Sequence, residues 1–403
     1  MSGDDDGKES LQNLEDEGSG LDMMKSQLSQ KGSILGNERQ KRVLILYTGG
    51  TMGMKSSANG SLAPVSGYLT SEVKKTPELF KLGMPYFDIK EYNPLLDSAC
   101  MGPKDWHTIA SDIEENYFSY DGFVVIMGTD TMAYAGSALS FMLENLGKTV
   151  VFTGSQIPFA EVYNDARRNL VVSLMMAMQD DFFPEVCICF NDTLFRANRT
   201  VKSNSVGLAA FESPNFPAFA KLGVRTNVRK DLARPHPKGP FRVYKNLDAH
   251  VIVIKLVPGF DDGSILALAK HSPNLRAIIL ELYGAGNGPA GSKNSFYDAL
   301  RTAKDRGILC VAVSQCLKGG VSLDSYSMGV EMKNAGVLSG GDMTTAAVSV
   351  KLAYLFGRGA TNQIVSELLN VDLRGELTSE PRVSTKSALL ANRLYSDVPQ
   401  SRL

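Results

Sequence analysis

The sequence is poor in the residues from which many hydrolytic and metal-dependent sites are built. Only four histidines occur in 403 residues, His107, His236, His250 and His271. None falls in a strand-end motif, so no Ser-His-Asp or Cys-His arrangement is suggested and a histidine base is not expected. The five cysteines are odd in number. Cys187, Cys189 and Cys310 sit inside apolar runs, as buried thiols of a reducing compartment do. Cys187 and Cys189 lie two apart on a strand and point to opposite faces, which makes them a poor metal or redox pair. No metal is expected. No apolar run approaches the ~18 to 20 residues of a membrane span. The first nine residues include four acids, Asp4, Asp5, Asp6 and Glu9, where a signal peptide needs basic and then apolar residues, so secretion by that route is not expected. Net charge is also missing: the formal value of -1 gives no reason for nucleic acid or an anionic membrane as partner.

What is present, 43% hydrophobic and 21% charged residues, describes a soluble globular protein whose length favours two domains. Residues 1–40 stand apart, with nine acids, four bases and no aromatic residue. That composition cannot bury enough apolar surface to stay folded, and the segment reads as a disordered acidic tail. Val43 to Tyr47 is a continuous apolar run that reads as a strand buried on both faces. It ends in Thr48-Gly49-Gly50-Thr51-Met52-Gly53. The glycines let the backbone take positive φ and approach a ligand, and the hydroxyls can donate or attack. Ligands of open parallel sheets bind beyond the carboxyl ends of strands, so this turn is a site candidate. Phe123 to Met127 is a second buried run, and it ends in Gly128-Thr129-Asp130-Thr131-Met132. The two turns lie side by side if their strands are neighbours.

With these two motifs in hand the chain resembles the bacterial-type L-asparaginases, the cytosolic type I branch in particular. Further motifs in register are Asp97-Ser98, Thr153-Gly154-Ser155-Gln156-Ile157-Pro158, Asn198-Arg199-Thr200-Val201-Lys202, Tyr283-Gly284-Ala285-Gly286-Asn287-Gly288 and Leu373-Arg374-Gly375-Glu376-Leu377. The resemblance covers about Lys41 to Leu377 without large gaps. It implies an α/β fold of two domains, a larger N-terminal flavodoxin-like parallel-sheet domain and a smaller C-terminal α/β domain. The boundaries expected are 41–225 for the catalytic domain, 226–247 for a basic, Pro-rich linker, 248–378 for the second domain and 379–403 for a C-terminal tail. The activity implied is hydrolysis of L-asparagine to L-aspartate and ammonia without metal or organic cofactor. Thr51 is then the nucleophile, and Thr129, Asp130 and Lys202 form its supporting group. Asp130 also pairs with the substrate's α-ammonium, Asp97 and Ser98 bind its carboxylate end, and Asn287 completes the site of an adjoining subunit. The partners implied are the small-molecule substrate and further copies of the chain, in a homodimer or homotetramer with shared active sites.

Three departures and two rival signals accompany the resemblance. The polar segment 54–63 corresponds to a flap that closes over substrate, yet Ser61-Leu62-Ala63 follow Gly60 where some members carry a tyrosine. Tyr326 is the candidate substitute phenol. Some type I members have an allosteric asparagine site, but its arginine and threonine positions read Glu281 and Val201 here, beside Cys316, so cooperativity of that kind is not expected. The C-terminal Ser401-Arg402-Leu403 is a variant peroxisomal address and stands as the alternative to a cytoplasmic location. Gly286 to Gly291 fits GxGxxG after a strand, which offers a nucleotide-binding module as the non-enzyme alternative. Pro289 and the lack of an acid at the end of the following strand weigh against it. Within the enzyme class, a glutaminase or the asparaginase-like subunit of a tRNA-dependent amidotransferase are the alternatives. Helices are expected at Pro103 to Asn116, at Ala135 to Leu146 as an amphipathic helix stopped by Gly147, and at Asn164 to Met178.

Overall fold

A computed structural model of the chain describes residues 39–57, 60–179, 183–288 and 294–378. Most of the acidic tail, the C-terminal tail with Ser401-Arg402-Leu403, and positions 289–291 of the GxGxxG motif lie outside the described residues. The larger sheet is built from β1 (Arg42–Gly49), β2 (Tyr86–Leu96), β3 (Gly122–Ile126), β4 (Val150–Thr153), β5 (Val186–Phe190), β6 (Thr193–Arg196), β7 (Ala220–Lys221) and β8 (Asn227–Val228). Their order is β8-β7-β6-β5-β4-β3-β1-β2. Strands β2, β1, β3, β4 and β5 are mutually parallel, and β6 to β8 add an antiparallel edge. This is the 2-1-3-4-5 order of flavodoxin-like sheets, whose switch point falls between β1 and β3. The order follows from burial: β1, β3 and β4 are central and apolar throughout, from Val43 to Tyr47, Phe123 to Ile126 and Val150 to Phe152.

The smaller sheet is wholly parallel, in the order β9 (Val251–Lys255), β10 (Ala277–Leu282), β11 (Leu309–Ser314) and β12 (Val337–Ser339). Its inner residues Ala277, Ile279, Val311 and Val313 share one core with Phe141, Leu352, Tyr354 and Leu355. The chain is therefore built on a mixed, mostly parallel sheet and a smaller parallel sheet joined by a common helical layer.

Two helix expectations are met closely, by Pro103–Asn116 and Ala166–Ala177. The third is corrected. The helix runs from Met132 to Met142, and Leu143–Glu144 leave it to pair antiparallel with Arg242–Val243. Nor is it amphipathic: all its residues except Tyr134 are buried. It lies between the large sheet and the helix Thr345–Gly357, so its second face packs on Ala347, Val350 and Tyr354 rather than on water. Small residues permit this close layering; a Cβ on Gly136 would stand 2.8 Å from that of Ala197. Glu144 leaves the helix because its buried carboxylate accepts from the Tyr354 hydroxyl at 2.6 Å and from the Arg358 guanidinium.

The closing segment 372–378 returns to the first sheet. Gly375 O accepts from Arg196 at 3.3 Å, Arg374 O from Asn198 at 2.9 Å and Glu376 O from Arg199 at 2.8 Å. These three donors open the short stretch that ends at Lys202, so the C-terminal turn and the site lysine share one scaffold.

Candidate active site

Register brings the two hydroxyl-bearing turns together. Tyr47 pairs with Ile126, so the chain leaves β1 and β3 at the same level. Thr48 is buried, and its hydroxyl donates to Ile126 O at 3.0 Å, pinning the two strand ends. Gly49 and Gly50 then take φ of 138° and 91°. Both contacts there are backbone to backbone: an added Cβ on Gly49 would lie 2.2 Å from Leu96 O, and on Gly50 2.4 Å from Gly128 N. Only glycine permits such approach. Gly50→Ala is expected to cost about 1–3 kcal/mol from backbone conformation alone and to force the two turns apart. Urea unfolding and a turnover assay check it, and an alanine variant with native stability and rate would contradict the close contact.

Thr51 opens the 3₁₀ turn Thr51–Gly53 and is half-buried. Among the described residues, none takes its side-chain hydroxyl in a hydrogen bond. Of the two threonines flanking the glycines, Thr48 is thus structural and Thr51 is the one left available for chemistry. On the other side of β1, Asp97 caps the 3₁₀ turn Ser98–Cys100 by accepting from Ala99 N at 3.0 Å. Ser98 is buried against Gly128, where a Cβ would meet its Oγ at 2.4 Å, and its carbonyl accepts from the Thr131 hydroxyl at 2.7 Å. The ends of β2, β1 and β3 therefore present Ser98, Thr51 and Thr129 on one rim.

The lysine arrives from a different direction. The 3₁₀ turn Ala197–Arg199 leads into the two-residue strand Val201–Lys202, which pairs with Phe211–Glu212. Lys202 Nζ donates to Thr129 Oγ1 at 2.8 Å and to Asp130 Oδ1 at 2.7 Å. Its side chain is 18% exposed, and that of Asp130 68%. A mostly buried ammonium held between a buried hydroxyl and an open carboxylate orients Thr129 and leaves one face of Asp130 for a ligand cation.

One polar neighbour was not among the expected site residues. Gln156, at the end of β4, places Oε1 3.5 Å from Thr129 Oγ1 while its Nε2 donates to Gly207 O at 3.2 Å. Its backbone is fixed by N–H donation to both oxygens of Asp165. The strand-end rule that singles out Thr51 and Thr129 applies equally to Thr153-Gly154-Ser155-Gln156, so the signal was there. The segment after Thr51 is a hairpin of Met54–Ser56 and Leu62–Pro64, largely exposed. Tyr47 lies beneath it, its hydroxyl under Gly53; burial and the Glu91 charge push the phenol well above its ordinary range.

Asn287 and Tyr326 are placed on the second sheet. Asn287 closes a tight turn after β10 by exchanging backbone bonds with Tyr283 at 2.8 and 2.9 Å. Tyr326 immediately precedes the helix Ser327–Asn334, makes no side-chain capping bond to it and is 51% exposed. Among the described residues, no hydrogen bond within the chain joins either one to Thr51, Thr129, Asp130 or Lys202. Of the former allosteric positions, Glu281 is taken by the Thr345 hydroxyl at 2.8 Å and Cys316 is exposed.

The family profile described as Asparaginase, N-terminal matches residues 42–234, and that described as Glutaminase/Asparaginase C-terminal domain matches residues 250–369. This chain belongs to the asparaginase family. It is 41% identical over 344 residues to L-asparaginase 1 of Escherichia coli strain K12, covering 85% of this chain and 99% of that one. The solved structure of L-asparaginase I from Vibrio cholerae superposes with a TM-score of 0.77 at 40% identity, covering 84% of this chain and 100% of that one. A third relative, the 60 kDa lysophospholipase of Homo sapiens, is 37% identical over 381 residues, which cover 89% of this chain and 65% of the human protein. Asparaginases of known structure thus share both sheets, and the two profile matches fall on them in turn.

Proposed function

We propose that this chain is an L-asparaginase that hydrolyses the side-chain amide of free L-asparagine, with Thr51 as nucleophile. The observation that carries the reading is the Lys202–Thr129–Asp130 cluster at the β1/β3 switch point, on the rim that also presents Thr51. Family membership supports the reaction class. The Thr51 hydroxyl oxygen bonds to the carboxamide carbon, and its proton passes towards Thr129, which Lys202 holds. Backbone N–H groups of the Gly-rich turns are suited to hold the oxyanion. The C–N bond breaks, ammonia leaves with the proton returned, and water cleaves the acyl-threonine to L-aspartate and a free Thr51. Asp130 pairs with the α-ammonium and Ser98, backed by the Asp97 cap, takes the α-carboxylate.

Asn287 of an adjoining copy completes the site in this reading, and Tyr326 supplies a phenol, so the working form is a homodimer or homotetramer. The unit 41–225 carries the chemistry and 248–378 the shared elements. The chain acts in the cytoplasm, in keeping with its three buried thiols. The test is ammonia release from L-asparagine, L-glutamine and N-acetyl-L-asparagine. L-asparagine is expected to be the preferred amide, glutamine weaker by the ~10- to 200-fold that one methylene of pocket room gives, and the acetylated form inert because Asp130 loses its cation. Equal turnover of the acetylated form would remove Asp130 from substrate binding.

A further inference from the structure

The chain that leaves Thr51 runs into a hairpin with little core of its own. Its strands Met54–Ser56 and Leu62–Pro64 are exposed apart from Met54, so their seat is set by what holds the two ends. The outgoing end is supported from below. Tyr47 is fully buried, and a Cβ on Gly53 would stand 1.8 Å from its hydroxyl. That hydroxyl has no hydrogen-bond partner among the described residues, so the support is steric. The returning end is held by one side chain. Glu91 Oε1 accepts from Gly67 N at 2.6 Å and from Ser66 Oγ at 3.1 Å, and Oε2 accepts from the Thr70 hydroxyl. Gly67 has a φ of 74° and opens the helix Tyr68–Lys75, so this carboxylate fixes both a left-handed turn and a helix start. The two ends meet where Val65 N donates to Gly53 O at 3.4 Å.

Glu91 is an exception to the pattern of its strand. It pairs with Tyr47 across β1 and β2. Phe87 and Ile89, on the same face of β2, pack with Tyr47 and with Leu69 and Val73 of the helix. An apolar side chain would extend that face; a half-buried carboxylate there is costly unless its oxygens are satisfied. Among the described residues Glu91 forms no ion pair, and its carboxylate accepts only from residues 66, 67 and 70.

We propose that Glu91 is a positioning residue for Thr51. It locks the turn at 66–70 and, through the Val65–Gly53 contact, holds the 3₁₀ turn Thr51–Gly53 down on Tyr47. One rung of the sheet, Tyr47 beside Glu91, thereby seats both ends of the segment that begins at the nucleophile. The inference rests on the reading of Thr51 as nucleophile and adds the group that aims it.

The test joins steady-state kinetics on L-asparagine with amide hydrogen exchange, on the full chain and on variants of native circular dichroism. Glu91→Ala is expected to lower kcat about 10- to 100-fold, as small misplacement of a reacting group does, with KM changed less. Exchange at Gly67 is expected to quicken at least about tenfold in the same variant. Glu91→Gln keeps an acceptor for Gly67 N and can donate to the Thr70 oxygen, so its kcat is expected within about threefold of native. Thr70→Val, which removes a single donor, is expected to cost about 2- to 10-fold and serves if the alanine variant does not fold. A native kcat in Glu91→Ala would overturn the proposal, as would unchanged Gly67 exchange or a glutamine variant as slow as the alanine one. Failure of the catalytic reading looks different: the native chain releases no ammonia while the exchange difference persists.

Discussion

Lys202→Met is expected to lower kcat for L-asparagine about a hundred- to ten-thousandfold, with KM changed far less. The lysine has no route to the substrate's distal end except through Thr129 and Asp130, its two partners at 2.8 and 2.7 Å. Methionine keeps the length and apolar stem of the side chain, so the short strand and its pairing with Phe211–Glu212 are retained. What disappears is the charge that orients the Thr129 hydroxyl and steadies the proton passing through it. Lys202→Arg is expected to restore little, because a planar fork cannot take the place of a compact ammonium between a buried hydroxyl and a carboxylate. Steady-state kinetics on variants of native circular dichroism check this; a methionine variant within tenfold of the native kcat would take Lys202 out of the reaction.

Lys351→Met is expected to destabilise the protein by about 3–5 kcal/mol, the cost of leaving a buried carboxylate without its cation. Lys351 and Glu376 are both fully buried at 2.5 Å. The ammonium also donates to Leu369 O at 2.8 Å and Val371 O at 2.6 Å, and Glu376 accepts from Arg374 N at 2.6 Å. Burial alone would raise the Glu376 carboxyl; the Lys351 charge and hydrogen bonds from Lys351, Leu373 N and Arg374 N overcome it and hold the group well below the usual carboxylate range. A carboxyl lowered in the folded state stabilises it above the unfolded pKa, and that share is lost as pH falls through the folded one. The native protein should therefore weaken in acid more steeply than Lys351→Met/Glu376→Leu, which replaces the pair by apolar groups and is expected to recover most of the single-variant loss. Urea midpoints at neutral pH and in acid read both effects. A single variant costing under ~1 kcal/mol would mean that the closing turn is not held by this pair.

The sequence made some of this legible and hid the rest for identifiable reasons. Continuous apolar runs ending in glycine and threonine located β1, β3 and the Thr51 and Thr129 turns, because buried parallel strands and their carboxyl-end loops have local signatures. Lys202 has none: it sits on a two-residue strand, and its meeting with Thr129 across 73 positions is a product of tertiary folding. Resemblance, not periodicity, pointed to it. The helix expected at Ala135 to Leu146 was displaced because its end is set by pairing with Arg242–Val243 and by Glu144 reaching Tyr354, contacts that a local pattern cannot contain. Asn287 and Tyr326 came from resemblance alone, and among the described residues no hydrogen bond joins either to Thr51, Thr129, Asp130 or Lys202.

The most direct measurement is the release of L-aspartate and ammonia from L-asparagine by the native chain and by Thr51→Ala, compared under identical conditions. Equimolar aspartate and ammonia from the native protein, with no turnover above background from a folded Thr51→Ala, is the result expected. Turnover that survives in Thr51→Ala, or none from a folded native oligomer, would contradict the assignment of the reaction to this threonine.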